Sequence, residues 1–317
     1  GGREMRVLVT GAGGFVGKHL VHELISHGDE VYAASYSKHD ELSSLLDAEH
    51  IIVGDLTDYS YTESLVQTAQ PEIIYHLAAL SVVHTDTDTA KHSLTNNLAL
   101  QYNLLEAIRQ HSPRVRLVAI CSGNVYGKVR EDELPISELT PIRPLNAYSV
   151  SKLSQETLAL QYYYAHDLDV VILRPFNHTG AGQTENFVIP AFAKQFAAIQ
   201  AGQQEPVIKV GNLDTARDFT DVGDMVRAYV LAGEKCESGE IYNIGSDQAS
   251  KIGEILSLMS EVSRVEVRVE EDKSRVRGVD VPVLMADSNK FRDITGWEPR
   301  VPFKITLTTV LEYWKGK

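Results

Sequence analysis

The chain has 317 residues, 43% of them hydrophobic, enough for one large α/β domain and a smaller lobe around a substantial core. No apolar run approaches the roughly 18 residues that a membrane span needs, and a formal net charge of -13 repels nucleic acid and anionic lipid. Two cysteines, Cys121 and Cys236, offer no disulfide framework, and the start lacks a charged-then-apolar secretion pattern, so a cytoplasmic location is expected.

The apolar pattern begins at Met5, and Gly1 to Glu4 are expected to stand outside the fold. From there short β-rich runs alternate with helical stretches: Val7–Val9, Val31–Ala34, Ile51–Val53, Ile73–Leu77, Leu117–Ile120 and Val170–Leu173. This rhythm predicts an α/β fold, a doubly wound parallel sheet over residues 5–175 with helices on both faces. Helices are expected at Leu94 to His111 and Ala147 to Ala165. Both carry apolar residues on more than one face, including Leu98, Leu105, Leu158 and Tyr162, which points to packing against a partner. Lys128 to Pro144, with three prolines, reads as a long ordered loop over the sheet edge. After Pro175 the rhythm breaks. A helical run from Val222 to Ala232 and a β-like run from Glu240 to Ile244 are expected to return to the first sheet, as a segment of about residues 218–246. Residues 176–217 and 247–317 then form a smaller α/β lobe for the substrate.

The first strand runs into Thr10-Gly11-Ala12-Gly13-Gly14-Phe15-Val16-Gly17 and then a helical pattern. Glycines at 11, 14 and 17 permit a tight turn, approach of a pyrophosphate to helix N-terminal N–H groups, and close helix packing, the fingerprint of a Rossmann dinucleotide site. The second strand ends Ala34-Ser35-Tyr36-Ser37-Lys38, with a hydroxyl where an NAD site usually places a carboxylate for the ribose. That favours NADPH, with NADH as the other option. Lys38 is either a partner for the 2′-phosphate or a solvated loop lysine. Asp55 is either an acceptor for the adenine amino group or a helix or turn cap ahead of Ser60. Leu56 beside it, and Leu77, Ala78 and Ala79 after the fourth strand, complete the expected cofactor wall. His76, His84 and His92 fit no metal pattern and read as structural or surface residues; no metal is expected.

Tyr148-Ser149-Val150-Ser151-Lys152 opens the later helix, so a phenol and an ammonium at i and i+4 share one face. A nearby ammonium favours the ionised phenol by roughly 1 to 3 pKa units, which makes the lysine a physical activator. Ser122 ends the fifth strand, at the carboxyl edge where open α/β sheets bind ligands. Cys121 before it reads as small-residue packing.

These residues resemble the extended short-chain dehydrogenase/reductase family over nearly the whole chain. More narrowly, Ser122 to Gly127, Arg174 to Gln183, and Ile208 to Asn212 with Arg217 to Val222 are similar to GDP-4-keto-6-deoxy-mannose reductases, which make GDP-D-rhamnose. The resemblance implies that Tyr148 donates a proton, Lys152 binds the nicotinamide ribose and tunes the tyrosine, and Ser122 hydrogen-bonds the sugar carbonyl. It also implies diphosphate or base contacts near Lys194, Lys209 and Arg217, ribose contacts near Arg277 and Asp280, and a homodimer built on the two helices. Asn124 and Val188 are further expected substrate contacts. Asn177 and His178 read equally as substrate contacts or as a turn residue and a packed histidine. Taken singly, each of the basic residues reads as a surface charge. Ala181 and Gly278 stand where relatives often have proline.

A dehydratase of this family would need an acidic pair after Ser122, and Gly123 and Asn124 cannot do acid-base work. A 4-epimerase needs only the tyrosine, the serine and a retained NAD, but Ser35 argues for an exchangeable NADPH. A non-catalytic dinucleotide sensor would have no use for Ser122, Tyr148 and Lys152 together.

Overall fold

The computed structural model describes residues 4–38, 40–80, 87–276 and 281–317. The first half alternates strands and helices: β1 (Arg6–Thr10), α1 (Phe15–His27), β2 (Glu30–Ser35), the short α2 (Asp40–Ser43), β3 (Ile51–Val53), α3 (Tyr59–Ala69), β4 (Ile73–His76), α4 (Thr87–His111), β5 (Arg116–Ile120), α5 (Ala147–His166) and β6 (Asp169–Pro175). The second half adds β7 (Asn177–Thr179), α6 (Val188–Gln200), β8 (Val207–Val210), β9 (Ala216–Asp221), α7 (Val222–Lys235), β10 (Ile241–Ile244), β11 (Ala249–Lys251), α8 (Ile252–Ser263), β12 (Arg268–Glu271), β13 (Val283–Leu284), α9 (Asn289–Thr295) and α10 (Phe303–Lys315).

Seven strands form one parallel sheet in the order β10-β6-β5-β4-β1-β2-β3. Strand periodicity divides its side chains between two layers. Leu8, Ile74, Leu117, Val170 and Ile172 pack under α3, α4 and α5, while Val7, Val9, Val118, Val171 and Leu173 pack against α1 and α7. The chain runs outward from β1 through β2 to β3 and then crosses back to β4. The carboxyl ends of β1 and β4 are therefore the switch point at which such sheets open a ligand crevice. The doubly wound parallel sheet is as expected from the sequence.

Beyond β6, a four-stranded sheet (β7, β9, β11, β13) and a two-stranded one (β8, β12) stand with α6, α8 and α10 around a third apolar cluster that includes Phe192, Phe196, Ile208, Met259, Leu307 and Val310. β10 pairs in parallel with β6, so the chain re-enters the large sheet between two visits to this smaller region.

Two helix expectations change. α4 starts at Thr87, a full two turns before Leu94, because its early turns are polar and carry no apolar rhythm to read. Leu105 and Tyr162 are buried inside their own chain, since α4 and α5 pack on each other as well as on the sheet. Among the described residues no helix is long and apolar enough to cross a membrane.

Candidate active site

Hydrogen bonds join the strand ends around the turn after β1. Ala12 N–H donates to Ala34 O at the end of β2 (3.0 Å), Gly54 N–H donates to Ser35 O (3.0 Å), and Ala78 N–H donates to Thr10 Oγ1 (3.2 Å). Gly11 has φ +65°, and a Cβ there would lie 2.9 Å from Ala78 N. A Cβ at Gly17 would lie 2.2 Å from Gly11 O, so here the third glycine lets α1 close on the turn itself. Gly14 is the N-cap of α1 and supplies no side-chain cap, which leaves the N–H groups of Phe15, Val16 and Gly17 to an incoming anion. A glycine cradle open to backbone approach fits a dinucleotide pyrophosphate.

Of the expected cofactor wall, Leu77 and Ala78 lie against Gly11; Leu77, Ala78 and Ala79 leave β4 half-buried, and Leu56 is buried after β3. Ser35 is buried, and its hydroxyl donates to Ser37 O at 2.8 Å. Lys38 is exposed. Asp55 is exposed and accepts from Thr57 N–H and Oγ1 (2.9 and 2.7 Å) in a local turn. Asp55 thus caps the turn ahead of Ser60, while the helix cap is Asp58, which stands immediately before α3 and accepts Ser60 N–H at 2.9 Å.

On the other wall, Asn146 caps α5 by accepting Ser149 N–H at 2.8 Å, and this fixes the first turn that carries Tyr148. Lys152 follows one turn later and is buried. Cys121, just before Ser122, packs against this helix, its Sγ 3.5 Å from Lys152 O. Ser122 caps a short 3-10 turn, Gly123 to Tyr126, its Oγ accepting Asn124 N–H at 3.1 Å; Asn124 itself is exposed.

The electrostatics differ from the expectation of a lysine-activated phenol. Burial, with a smaller contribution from Cys121, pushes Tyr148 up to about 12, and burial pushes Lys152 down from its usual range. Burial sets the direction of the shift, and the phenol is held protonated. His76 is buried beside Thr10, its Nδ1 2.6 Å from Thr10 Oγ1; burial and the field of Lys152 push it down to about 3, so it is neutral. His92 is exposed, and His84 lies outside the described residues.

Sequence reasoning missed the support behind α5. Glu156, one turn after Lys152, receives a bidentate Arg174 from β6 (2.9 and 2.5 Å), with both side chains 3% exposed. Arg174 also donates to Tyr126 Oη (2.9 Å), which donates to Asn243 Oδ1 on β10 (2.6 Å). It missed Asp218 as well, a buried carboxylate on β9 that accepts the N–H groups of Ser246, Asp247 and Ala286 and the Ser246 hydroxyl, tying the smaller sheet to the end of β10. A charged residue on an inward helix face or at an inward strand position was the only available signal.

The expected substrate residues fall on two structures. Asn177 and His178 lie on β7, paired with Phe219 and Thr220 of β9. His178 Nδ1 is 2.9 Å from Phe176 O, and burial pushes its pKa down. Arg217 on β9 is half-buried and donates to Ala216 O and Val281 O (2.8 and 2.7 Å). Val188 opens α6, and Lys209 is exposed on β8, joined to α6 through Gln195, which bonds its backbone N–H and C=O. Lys194 pairs with Glu185 at 3.0 Å and sits 5.6 Å over the Trp314 ring, so its charge already has a partner. Arg277, Gly278 and Asp280 lie outside the described residues.

The family model for GDP-mannose 4,6 dehydratase matches residues 8–310. The chain is 34% identical over 313 residues to GDP-6-deoxy-D-mannose reductase of Pseudomonas aeruginosa, covering 98% of each chain. It is 28% identical to GDP-6-deoxy-D-talose 4-dehydrogenase of Aggregatibacter actinomycetemcomitans, covering 92% of each. The solved structure of RMD from Pseudomonas aeruginosa complexed with NADPH superposes with a TM-score of 0.88 at 32% identity, covering 100% of this chain and 99% of that one. A glycine cradle at the switch point, a Tyr-Lys helix and end-to-end matches of this kind place the chain in the GDP-mannose 4,6 dehydratase family, within the extended short-chain dehydrogenase/reductases.

Proposed function

We propose that this protein is an NADPH-dependent oxidoreductase of deoxysugar synthesis, reducing the 4-keto group of GDP-4-dehydro-6-deoxy-D-mannose to give GDP-D-rhamnose. The observation that carries the reading is the run Ser122-Gly123-Asn124 in a turn that packs near α5, the helix that opens with Tyr148 and Lys152. It offers a hydroxyl and a protonated phenol for a carbonyl, and no acid pair for elimination.

NADPH, when bound, supplies the hydride. Backbone N–H groups of Phe15, Val16 and Gly17 take its pyrophosphate, Ser35 and Lys38 face its ribose end, and Asp55, Leu56, Leu77, Ala78 and Ala79 flank it. Ser122 donates a hydrogen bond to the sugar carbonyl oxygen, and Tyr148 gives that oxygen its proton as negative charge develops there. Lys152 holds the nicotinamide ribose and keeps positive charge near the phenol. Arg217 and Lys209, with Arg277, bring cations to the diphosphate against an acidic background; Lys194 joins them only if it leaves Glu185. Asn124, Asn177, His178 and Val188 serve the sugar end, and the resemblance assigns Asp280 to the ribose. The 34% identity to a GDP-6-deoxy-D-mannose reductase over 98% of the chain supports the GDP link.

The test is incubation with NADPH and a panel of GDP-, dTDP-, CDP- and UDP-linked 4-keto-6-deoxy sugars, with products identified by NMR. Oxidation of NADPH with GDP-D-rhamnose as product is expected. A talo product, or no oxidation with any sugar, would overturn the assignment. Ser35→Asp should shift the NADH-to-NADPH preference by at least about tenfold, ~1.4 kcal/mol of repulsion of the 2′-phosphate; an unchanged ratio in cofactor titrations would remove the Ser35 argument.

The active form proposed is a cytoplasmic homodimer through α4 and α5, where Leu98, Tyr102, Val150 and Tyr164 are exposed. Leu98→Glu with Tyr102→Glu should give a monomer by light scattering; an unchanged mass would move the interface elsewhere.

A further inference from the structure

Gly123 stands beside Ser122, where a dehydratase would need an acid, and it packs directly on Phe176. A Cβ at position 123 would lie 2.8 Å from Phe176 Cδ1, 2.9 Å from Cε1 and 3.0 Å from Cγ. These are ring atoms, not the end of a flexible chain. The ring is hemmed in: Phe176 is 4% exposed within the core cluster, and its N–H is fixed to Ile244 O at 2.8 Å. On a further side stands Tyr126, with ring centroids 6.1 Å apart, itself clamped by Arg174 and Asn243.

We propose that Phe176 is a specificity-determining residue, which confines position 123 to glycine and so withholds a carboxylate from the carbonyl site. On this view the chain lacks elimination chemistry because the space for the acid is filled, not only because the acid is missing. The inference rests on the reductase reading for its sugar probe alone; the packing claim is independent of it.

Two measurements decide it. In a thermal-denaturation cycle, Gly123→Ala should lower Tm by about 2–4 °C with Phe176 present, as overpacking of a filled core does, and by under ~1 °C in a Phe176→Ala background. Additive shifts would overturn the proposal. The second measurement incubates GDP-4-keto-6-deoxy-D-mannose with NADP+ in D2O. The paired variant G123D/F176A should exchange the C5–H α to the ketone at least tenfold faster than the parent, read by mass spectrometry. There the introduced carboxylate takes the C5 proton, the electron pair forms an enolate, and a deuteron returns to carbon. If G123D alone exchanges as fast with an unchanged Tm, Phe176 withholds nothing. If the parent reduces no keto sugar, the functional reading fails, and the thermal cycle still decides the packing claim.

Discussion

Tyr148→Phe should lower kcat for keto-sugar reduction by about 10²- to 10⁴-fold, the usual contribution of a positioned acid, while Kd values for cofactor and sugar stay within about threefold. The side chain loses one oxygen and keeps its ring, so packing at the start of α5 is preserved. The phenol is pushed up to about 12, first by burial and then by Cys121, so at neutral pH it carries the proton that a developing alkoxide needs. The sign for pH follows. Reduction should not lose its acid between about pH 7 and 9, whereas oxidation of the alcohol, which needs the phenolate, should rise with pH through the same range. Single-turnover rates with separate binding titrations check this, and a Phe variant within tenfold of the parent would remove Tyr148 from the acid role.

What the sequence made legible was local. Gly11, Gly14 and Gly17 are read from spacing because one turn uses all three, and Tyr148 and Lys152 because helical geometry brings i and i+4 together. Strand runs alternating with helices fix a doubly wound sheet for the same reason. Partners chosen by tertiary packing were not legible. Glu156 finds Arg174 across 18 residues, Asp218 finds Ala286 across 68, and Phe176 lies against Gly123 from the next strand of the sheet. Nothing in the local pattern around any of these names the other. The direction of the Tyr148 shift was missed for a related reason. Proximity of Lys152 is encoded in spacing, but the burial that raises the phenol is a property of the whole fold.

Glu156→Gln should be among the most costly single changes, at about 3–5 kcal/mol, a fall in Tm of roughly 5–8 °C. The pair it breaks is buried on both sides and bidentate, and the neutral amide leaves the Arg174 guanidinium without its counter-charge in the core. The same change reaches the chemistry. Burial already lowers Lys152, and Glu156 is one of the groups that counter this, so removing its charge moves the lysine further down. Lys152 then loses its proton at a lower pH, and the alkaline limb of the kcat profile should move in the acid direction. Glu156→Leu combined with Arg174→Met removes both charges, so no lone ion remains buried, and it should recover most of the lost Tm. A double variant as unstable as Glu156→Gln would mean that the pair does more than neutralise itself. A Glu156→Gln profile with its alkaline limb unmoved would mean that Lys152 does not feel this carboxylate.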